Sequence, residues 1–301
     1  MSKKMTVACL GLGGMGGGLA HRLCELGWAP VVWNRSAHRA VDFAPVASRI
    51  AATPADAADG AEVALISLAD EKAVEAVLFG PDGLAEALKP GAVVIDASTV
   101  TPAFSRDVTR RLAEIGVGRV EANVIANPAQ ARGGDARVFA AGEPETVARV
   151  REVLVALGRQ LVELGAIGTA STMKLVLNSL LGAQLVSLAE AVSYGEKAGL
   201  DRDLLLRTIA DSAFSSPVMS YRCGVMREER YDRPTFRAEL MGKDLRFAVG
   251  DAAGHGLELP VIATAERRYQ ALVDSGRGGL DAAAILLQQL TDGGARNDGQ
   301  A

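Results

Sequence analysis

The sequence predicts an α/β fold whose first half is a mostly parallel sheet covered by helices and whose second half is all α-helical. Three observations predict it. Short runs apolar on both faces alternate with helical segments up to residue 164, a glycine-rich turn joins the first run to the first helix, and beyond Gly165 long helical periodicities replace the strand signals. In order, the strand runs are Val7 to Leu10, Val31 to Trp33, Val63 to Ile66, Ala92 to Ile95, Val120 to Ile125, Val138 to Ala141 and Gln160 to Leu164. They are short, apolar and for the most part rich in β-branched residues, as strands buried between two helical layers require. The second half predicts helices over 171–198, closed by Gly199, and then over 203–213, 237–254, 258–275 and 280–291. The expected organisation is a nucleotide-binding domain over 1–164, a helical domain over 165–293 and a disordered tail over 294–301.

The 301 residues suffice for two substantial cores, and 49% hydrophobic with 23% charged residues is the balance of a globular chain. A net charge of −4 provides no general basic field and 4% aromatics provide no base-stacking surface, so nucleic acid is not an expected partner. Cys9, Cys24 and Cys223 have no CxxC spacing, and His21, His38 and His255 form no ligand cluster, so no metal site is expected and a reducing compartment is. The longest apolar stretch, 175–189, is broken by Asn178 and Gln184, and the first strand begins within a few residues of Met1. Neither a membrane span nor a signal peptide is expected, which leaves the cytoplasm.

The turn after the first strand reads Gly11-Leu12-Gly13-Gly14-Met15-Gly16, followed by Leu19, Ala20, Leu23 and Leu26 at helical spacing. Gly11 permits the turn, Gly13 admits a pyrophosphate close to the backbone, and Gly16 lets the helix pack on the strand, while the free N–H groups of the helix start attract phosphate. The second strand ends at Asn34-Arg35-Ser36, where the ribose of a dinucleotide is read. An NAD-reading site places a carboxylate there. Arg35 would instead bind a 2′-phosphate through a charge-assisted fork, with Ser36 adding a hydroxyl, so NADP(H) is the expected cofactor; His38 and Arg39 fit a solvated surface better.

Lys174 and Asn178 stand four residues apart in GTASTMKLVLNSLLGAQLVSLAEA, an amine and an amide on one face of an otherwise apolar helix. Such a lysine either snorkels its ammonium to water or serves chemistry, and the glycine turn at the other end of the first half favours chemistry.

Together these residues resemble the β-hydroxyacid dehydrogenase family, which contains 3-hydroxyisobutyrate dehydrogenases and glyoxylate or succinic semialdehyde reductases. The resemblance covers nearly the whole chain. The glycine turn matches the family's GLGxMG, Asp96-Ala97-Ser98-Thr99 with Pro102 matches its DxST…P, Gly168 with Lys174 and Asn178 matches its GxGxxxKxxxN, and Phe236 with Lys243-Asp244-Leu245 matches its KDL motif. It implies a Rossmann domain, a helical domain for substrate and dimerisation, and an NADP-linked hydride transfer to a small aldehyde- or keto-acid in a homodimer or higher homo-oligomer. It further implies Lys174 as general acid/base, Asn178 as its positioning partner, Leu68, Ala69 and Thr99 as cofactor contacts, and Lys243 as a lining of the cofactor and substrate cleft.

One segment departs from the family. Where relatives carry a DAPVSGG-like loop whose serine and glycine amides clasp the substrate carboxylate, this chain reads Glu121 to Pro128, with Ile125, Ala126, Asn127 and Pro128 in the loop itself. Ile125 has no hydroxyl and Pro128 no N–H; Ile125 and the amide of Asn127, with Lys243 of the later motif, are the candidate substrate contacts, and Arg132 lies nearby in sequence. Two alternatives use the same scaffold: an imine reductase-like enzyme and a non-catalytic NADP-binding module. Retention of Lys174 weighs against both.

Overall fold

A computed structural model describes residues 4–295, and its chain falls into two compact units that divide between Lys174 and Leu175. The first unit is built on one eight-stranded sheet. Its strands are β1 (Val7–Leu10), β2 (Val31–Trp33), β3 (Arg49–Ile50), β4 (Val63–Ile66), β5 (Val93–Asp96), β6 (Gly118–Ile125), β7 (Arg137–Ala141) and β8 (Gln160–Glu163). They lie in the order β3-β2-β1-β4-β5-β6-β7-β8, and every pair is parallel except β6 with β7, which is antiparallel.

The alternation of side chains along each strand explains why the runs are apolar throughout. Val7 and Cys9 of β1, Leu65 of β4 and Val120, Ala122 and Val124 of β6 point into one core, which is closed by Leu19 and Leu23 of the first helix. Ala8 and Leu10, Ala64 and Ile66, and Val94 point into the other. Each central strand therefore buries both faces, as parallel crossover connections demand. The strand order reverses direction at β1, between β2 and β4, and ligands of such sheets bind at the carboxyl ends of the strands beside that switch point.

The second unit is helical. The long helix Thr169–Lys197, which enters it at Leu175, is followed by Arg202–Asp211, Pro217–Arg227, Ala238–Gly254, Pro260–Leu272 and Ile285–Ala295. Leu185, Leu188, Val192, Cys223, Met241, Leu245, Tyr269 and Leu286 make up much of its core. A buried ion pair between Arg222 and Asp281 is set into it, and the second oxygen of Asp281 accepts the Thr235 N–H at 3.0 Å. Helix Pro217–Arg227 and strand β3 carry no clear signal in the sequence, and the helix expected over 258–275 stops at Leu272, where the chain kinks at Gly276. The last helix continues through 294–295, the first residues of the expected tail, and 296–301 lie outside the described residues.

Among the described residues, Thr169–Lys197 is the one helix long and apolar enough to cross a membrane, and half of its most apolar window is buried inside the protein. The three cysteines are free, and burial pushes each thiol up, which keeps it protonated and inert.

Candidate active site

The glycine turn follows from backbone crowding. At Gly11 the chain adopts φ +85°, and a side chain there would meet the Ser67 carbonyl at 2.3 Å. At Gly16 a Cβ would lie 1.9 Å from the Gly11 carbonyl, so the helix approaches the turn only because both positions lack one. Gly13, which caps the helix Gly14–Glu25, is different: nothing stands within 4 Å of where its Cβ would be. No side chain caps this helix, and its first turn holds no acidic residue. The first-turn N–H groups have no partner earlier in the helix, and the positive end of the helix dipole lies behind them. The residues present fit a pyrophosphate.

Asn34, expected at the ribose, bonds to backbone on both sides. Its Oδ1 accepts the Leu12 N–H at 2.8 Å and its Nδ2 donates to the Ser36 carbonyl at 3.0 Å, so the side chain ties the end of β2 to the glycine turn. Arg35 and Ser36 are exposed, and no carboxylate pairs with Arg35 among the described residues. At the ends of β4 and β5, Ser98 is the stitch: its hydroxyl accepts the Leu68 N–H at 2.9 Å, its own N–H donates to Asp96 at 2.8 Å, and its carbonyl accepts Asn123 Nδ2 at 3.0 Å. Leu68, exposed Ala69 and half-buried Thr99 follow directly from these fixed backbones.

Lys174 is half-buried and donates from Nζ to the Val124 carbonyl, near the end of β6, at 2.7 Å. Three residues earlier on the same strand, Glu121 is 1% exposed. Its Oε2 accepts the N–H groups of Gly168, Ala170 and Ser171 at 3.0, 3.1 and 3.4 Å, and its Oε1 accepts the Ser171 hydroxyl at 2.7 Å and the Ser105 hydroxyl. Ser105 Oγ in turn accepts Arg119 Nη1 at 2.6 Å, and Arg119 Nη2 pairs with Asp96 at 2.6 Å in a fully buried ion pair. A continuous buried network thus runs from the strand end at Asp96 to the first turn of the lysine helix.

In the second unit Asn178 is buried, and its Nδ2 donates to Asp244 Oδ2 at 2.6 Å. A carboxylate only accepts, so this bond fixes the amide with its Oδ1 turned away from Asp244. Lys243 Nζ lies 3.0 Å from the other oxygen of Asp244, an ion contact outside hydrogen-bond geometry, and 5.0 Å from the Phe247 ring. The long helix carries Lys174 and Asn178 one turn apart.

The departing loop is closed on itself. Asn127 Oδ1 accepts the Gln130 N–H at 2.9 Å and Gln130 Oε1 accepts the Asn127 N–H at 2.9 Å, a capping box for the short helix Pro128–Gly133. Ile125 and Ala126 precede it half-buried, and Arg132 is exposed and pairs with Glu25 at 3.2 Å. Among the described residues no three His, Cys, Asp or Glu side chains gather as metal ligands.

Sequence reasoning missed Glu121, Arg119 and Asp244 as site residues. A signal for two of them was present, because Arg119 and Glu121 alternate with apolar residues in a strand that is otherwise buried, and charges in such a place need partners.

A glycine turn of the dinucleotide-binding pattern at the switch point of a doubly wound sheet, followed by a helical unit, is the arrangement of dinucleotide-dependent enzymes of the dehydrogenase class. Comparison with known proteins agrees. Residues 6–167 match the model of the NAD-binding domain of 6-phosphogluconate dehydrogenase, and residues 168–288 match that of the NAD-binding domain of NADP-dependent 3-hydroxyisobutyrate dehydrogenase. The chain is 31% identical to the uncharacterized oxidoreductase YfjR of Bacillus subtilis, over 94% of this chain and 99% of that one. It is 30% identical to L-threonate dehydrogenase of Cupriavidus necator over 93% and 94%. Among solved structures, 3-hydroxyisobutyrate dehydrogenase from Salmonella typhimurium superposes with a TM-score of 0.86 at 25% identity, over 94% of this chain and 99% of that one. The chain belongs to the β-hydroxyacid dehydrogenase family and is an NAD(P)-dependent oxidoreductase acting on CH–OH groups.

Proposed function

We propose that the chain is an NADPH-linked reductase of a small carbonyl compound, reversible as an alcohol dehydrogenase, with Lys174 as its general acid/base. The observation that carries this reading is the half-buried ammonium of Lys174, held at 2.7 Å on the Val124 carbonyl beside the loop that departs from the family. When bound, the nicotinamide supplies a hydride to the carbonyl carbon. The ammonium gives its proton to the oxygen, where negative charge grows in the transition state, and its own charge stabilises that oxygen until transfer is complete. A neutral amine keeps two N–H bonds and gains a lone pair, so the hold on Val124 survives proton loss and the group is ready to take a proton from an alcohol in the reverse direction. Asn178, whose Nδ2 is taken by Asp244, is the proposed positioning partner of Lys174, and Lys243 is a further residue proposed for cofactor and substrate. The test is Lys174→Ala, measured by steady-state kinetics beside titration of NADPH.

The glycine turn 11–16 takes the pyrophosphate, Leu68, Ala69 and Thr99 flank the nicotinamide half, and Arg35 with Ser36 takes the 2′-phosphate. NADPH is therefore expected to bind at least about tenfold more tightly than NADH, since a charge-assisted bidentate contact contributes on the order of 1.5–3 kcal/mol. Arg35→Asp narrows or reverses the ratio. Fluorescence titration giving equal wild-type affinities for the two cofactors would exclude Arg35 as the reader.

The substrate is proposed to be held with little help from a carboxylate clasp. The Asn127 N–H is spent on Gln130 and Pro128 has none, so neither residue offers the substrate a backbone donor. Succinic semialdehyde or glyoxylate and neutral aldehydes of similar size should differ in kcat/KM by less than about 10³-fold, equivalent to about 4 kcal/mol. Ile125→Ser with Ala126→Gly should raise the preference for the acids. A wild-type preference above that bound would assign the clasp to another residue, such as Arg132 or Lys243.

A homodimer or higher homo-oligomer in the cytoplasm completes the proposal. It is supported by the free thiols and by Val176, Leu180 and Tyr194 of the long helix, which leave large apolar side chains exposed on this single chain.

A further inference from the structure

We infer that Glu121 is a positioning residue for the reaction, acting through Lys174. The inference rests on the proposed role of Lys174 and concerns how the amine is kept in place.

The long helix begins at Thr169, and the N–H groups of its first turn have no partner within the helix. A surface helix satisfies them with a serine or aspartate at its own cap, or with water. Here a carboxylate from another element does so inside the core: Glu121 of β6 takes Gly168, Ala170 and Ser171 on one oxygen and the hydroxyls of Ser171 and Ser105 on the other. Ser105 Oγ already accepts from Arg119, so its single proton is directed at Glu121. All five partners are donors. Only a deprotonated carboxylate satisfies them all, and its charge sits at the positive end of the helix dipole.

Lys174 follows Ala170 by four residues and Ser171 by three, so its side chain rises from the face of the turn that Glu121 grips. Strand β6 holds the same helix twice, through the Glu121 carboxylate at the first turn and through the Val124 carbonyl at the amine itself. Because Glu121 and Val124 are three residues apart on one rigid strand, the spacing between the two grips is fixed. Shifting the first turn would move Nζ relative to Val124, and a displacement of about 1 Å in a reacting group costs on the order of 10²-fold in rate. The rest of the network, Ser105, Arg119 and Asp96, locks the rotamer of Glu121 from behind and ties it to the strand end that carries Ser98 and Thr99.

The conservative change Glu121→Gln keeps the shape, offers its amide oxygen to the three N–H groups and turns its NH₂ toward the two hydroxyls, but removes the charge and one acceptor. It is expected to lower kcat by roughly 10- to 100-fold with the affinity for NADPH, read by fluorescence titration, unchanged. A double-mutant cycle with Lys174→Ala, measured on the full-length protein, separates the possibilities. If Glu121 acts through Lys174, the double variant turns over no more slowly than Lys174→Ala alone, because the group being positioned is already gone. Two independent multiplicative losses would show that Glu121 supports structure in general and would overturn the inference, as would wild-type kcat in Glu121→Gln. Near-normal turnover in Lys174→Ala would instead remove the proposed role of the lysine, which is a different failure. Should Glu121→Gln not fold, Ser171→Ala, which deletes one bond to Oε1, runs the same cycle with a smaller loss.

Discussion

Lys174→Ala lowers turnover by roughly 10²- to 10⁴-fold while the affinity for NADPH changes little, the range for loss of a general acid that also stabilises the developing charge. The expectation follows from where the amine is. Its Nζ is held on a backbone carbonyl of β6, and the amine acts on the reacting oxygen and not on the dinucleotide, so its loss leaves cofactor binding largely intact. Lys174→Arg is a sharper form of the same test. It keeps the positive charge but cannot release a proton near neutral pH, so it should recover little activity. Steady-state kinetics with cofactor titration on both variants decide the matter, and turnover within a few-fold of wild type in Lys174→Ala would remove the residue from the mechanism.

The largest expected effect on stability belongs to Asp96. Its side chain and that of Arg119 are 0% and 1% exposed, and they pair at 2.6 Å. Asp96→Ala leaves the guanidinium buried without its counter-charge and the Ser98 N–H without its acceptor, which costs about 3–5 kcal/mol in urea denaturation. Replacing both partners with apolar residues, Asp96→Leu with Arg119→Met, should cost less than removing Asp96 alone, since the penalty comes from the orphaned charge. A loss below about 1 kcal/mol in Asp96→Ala would mean that the network reaches solvent or re-pairs through Ser105 and Glu121.

The strands of the sheet were legible because each central one buries both faces and so reads as an unbroken apolar run; β3 was not, since Arg49 and Ile50 are exposed and too few to show a pattern. The glycine turn was legible because its requirements are local: a positive φ at Gly11 and a missing Cβ at Gly16 leave their mark in the residues themselves. The Asn34 side chain was not, because its choice between a ribose and the Leu12 N–H depends on how β2 sits beside the turn. The network around Glu121 and the bond from Asn178 to Asp244 join residues 47 and 66 positions apart, and one sequence does not say which buried charge meets which donor. For the same reason the cap that Asn127 Oδ1 gives its own helix was not foreseen.

The measurement that bears most directly on the proposed reaction is a panel of aldehydes, keto acids and cyclic imines assayed with NADPH by absorbance, wild type beside Lys174→Ala. Small carbonyl compounds should be reduced by the wild type with NADPH preferred to NADH, the activity should fall with the lysine, and the imines should be poor substrates. Reduction of the imines in preference to every carbonyl, undiminished in Lys174→Ala, would contradict a lysine-driven carbonyl reductase.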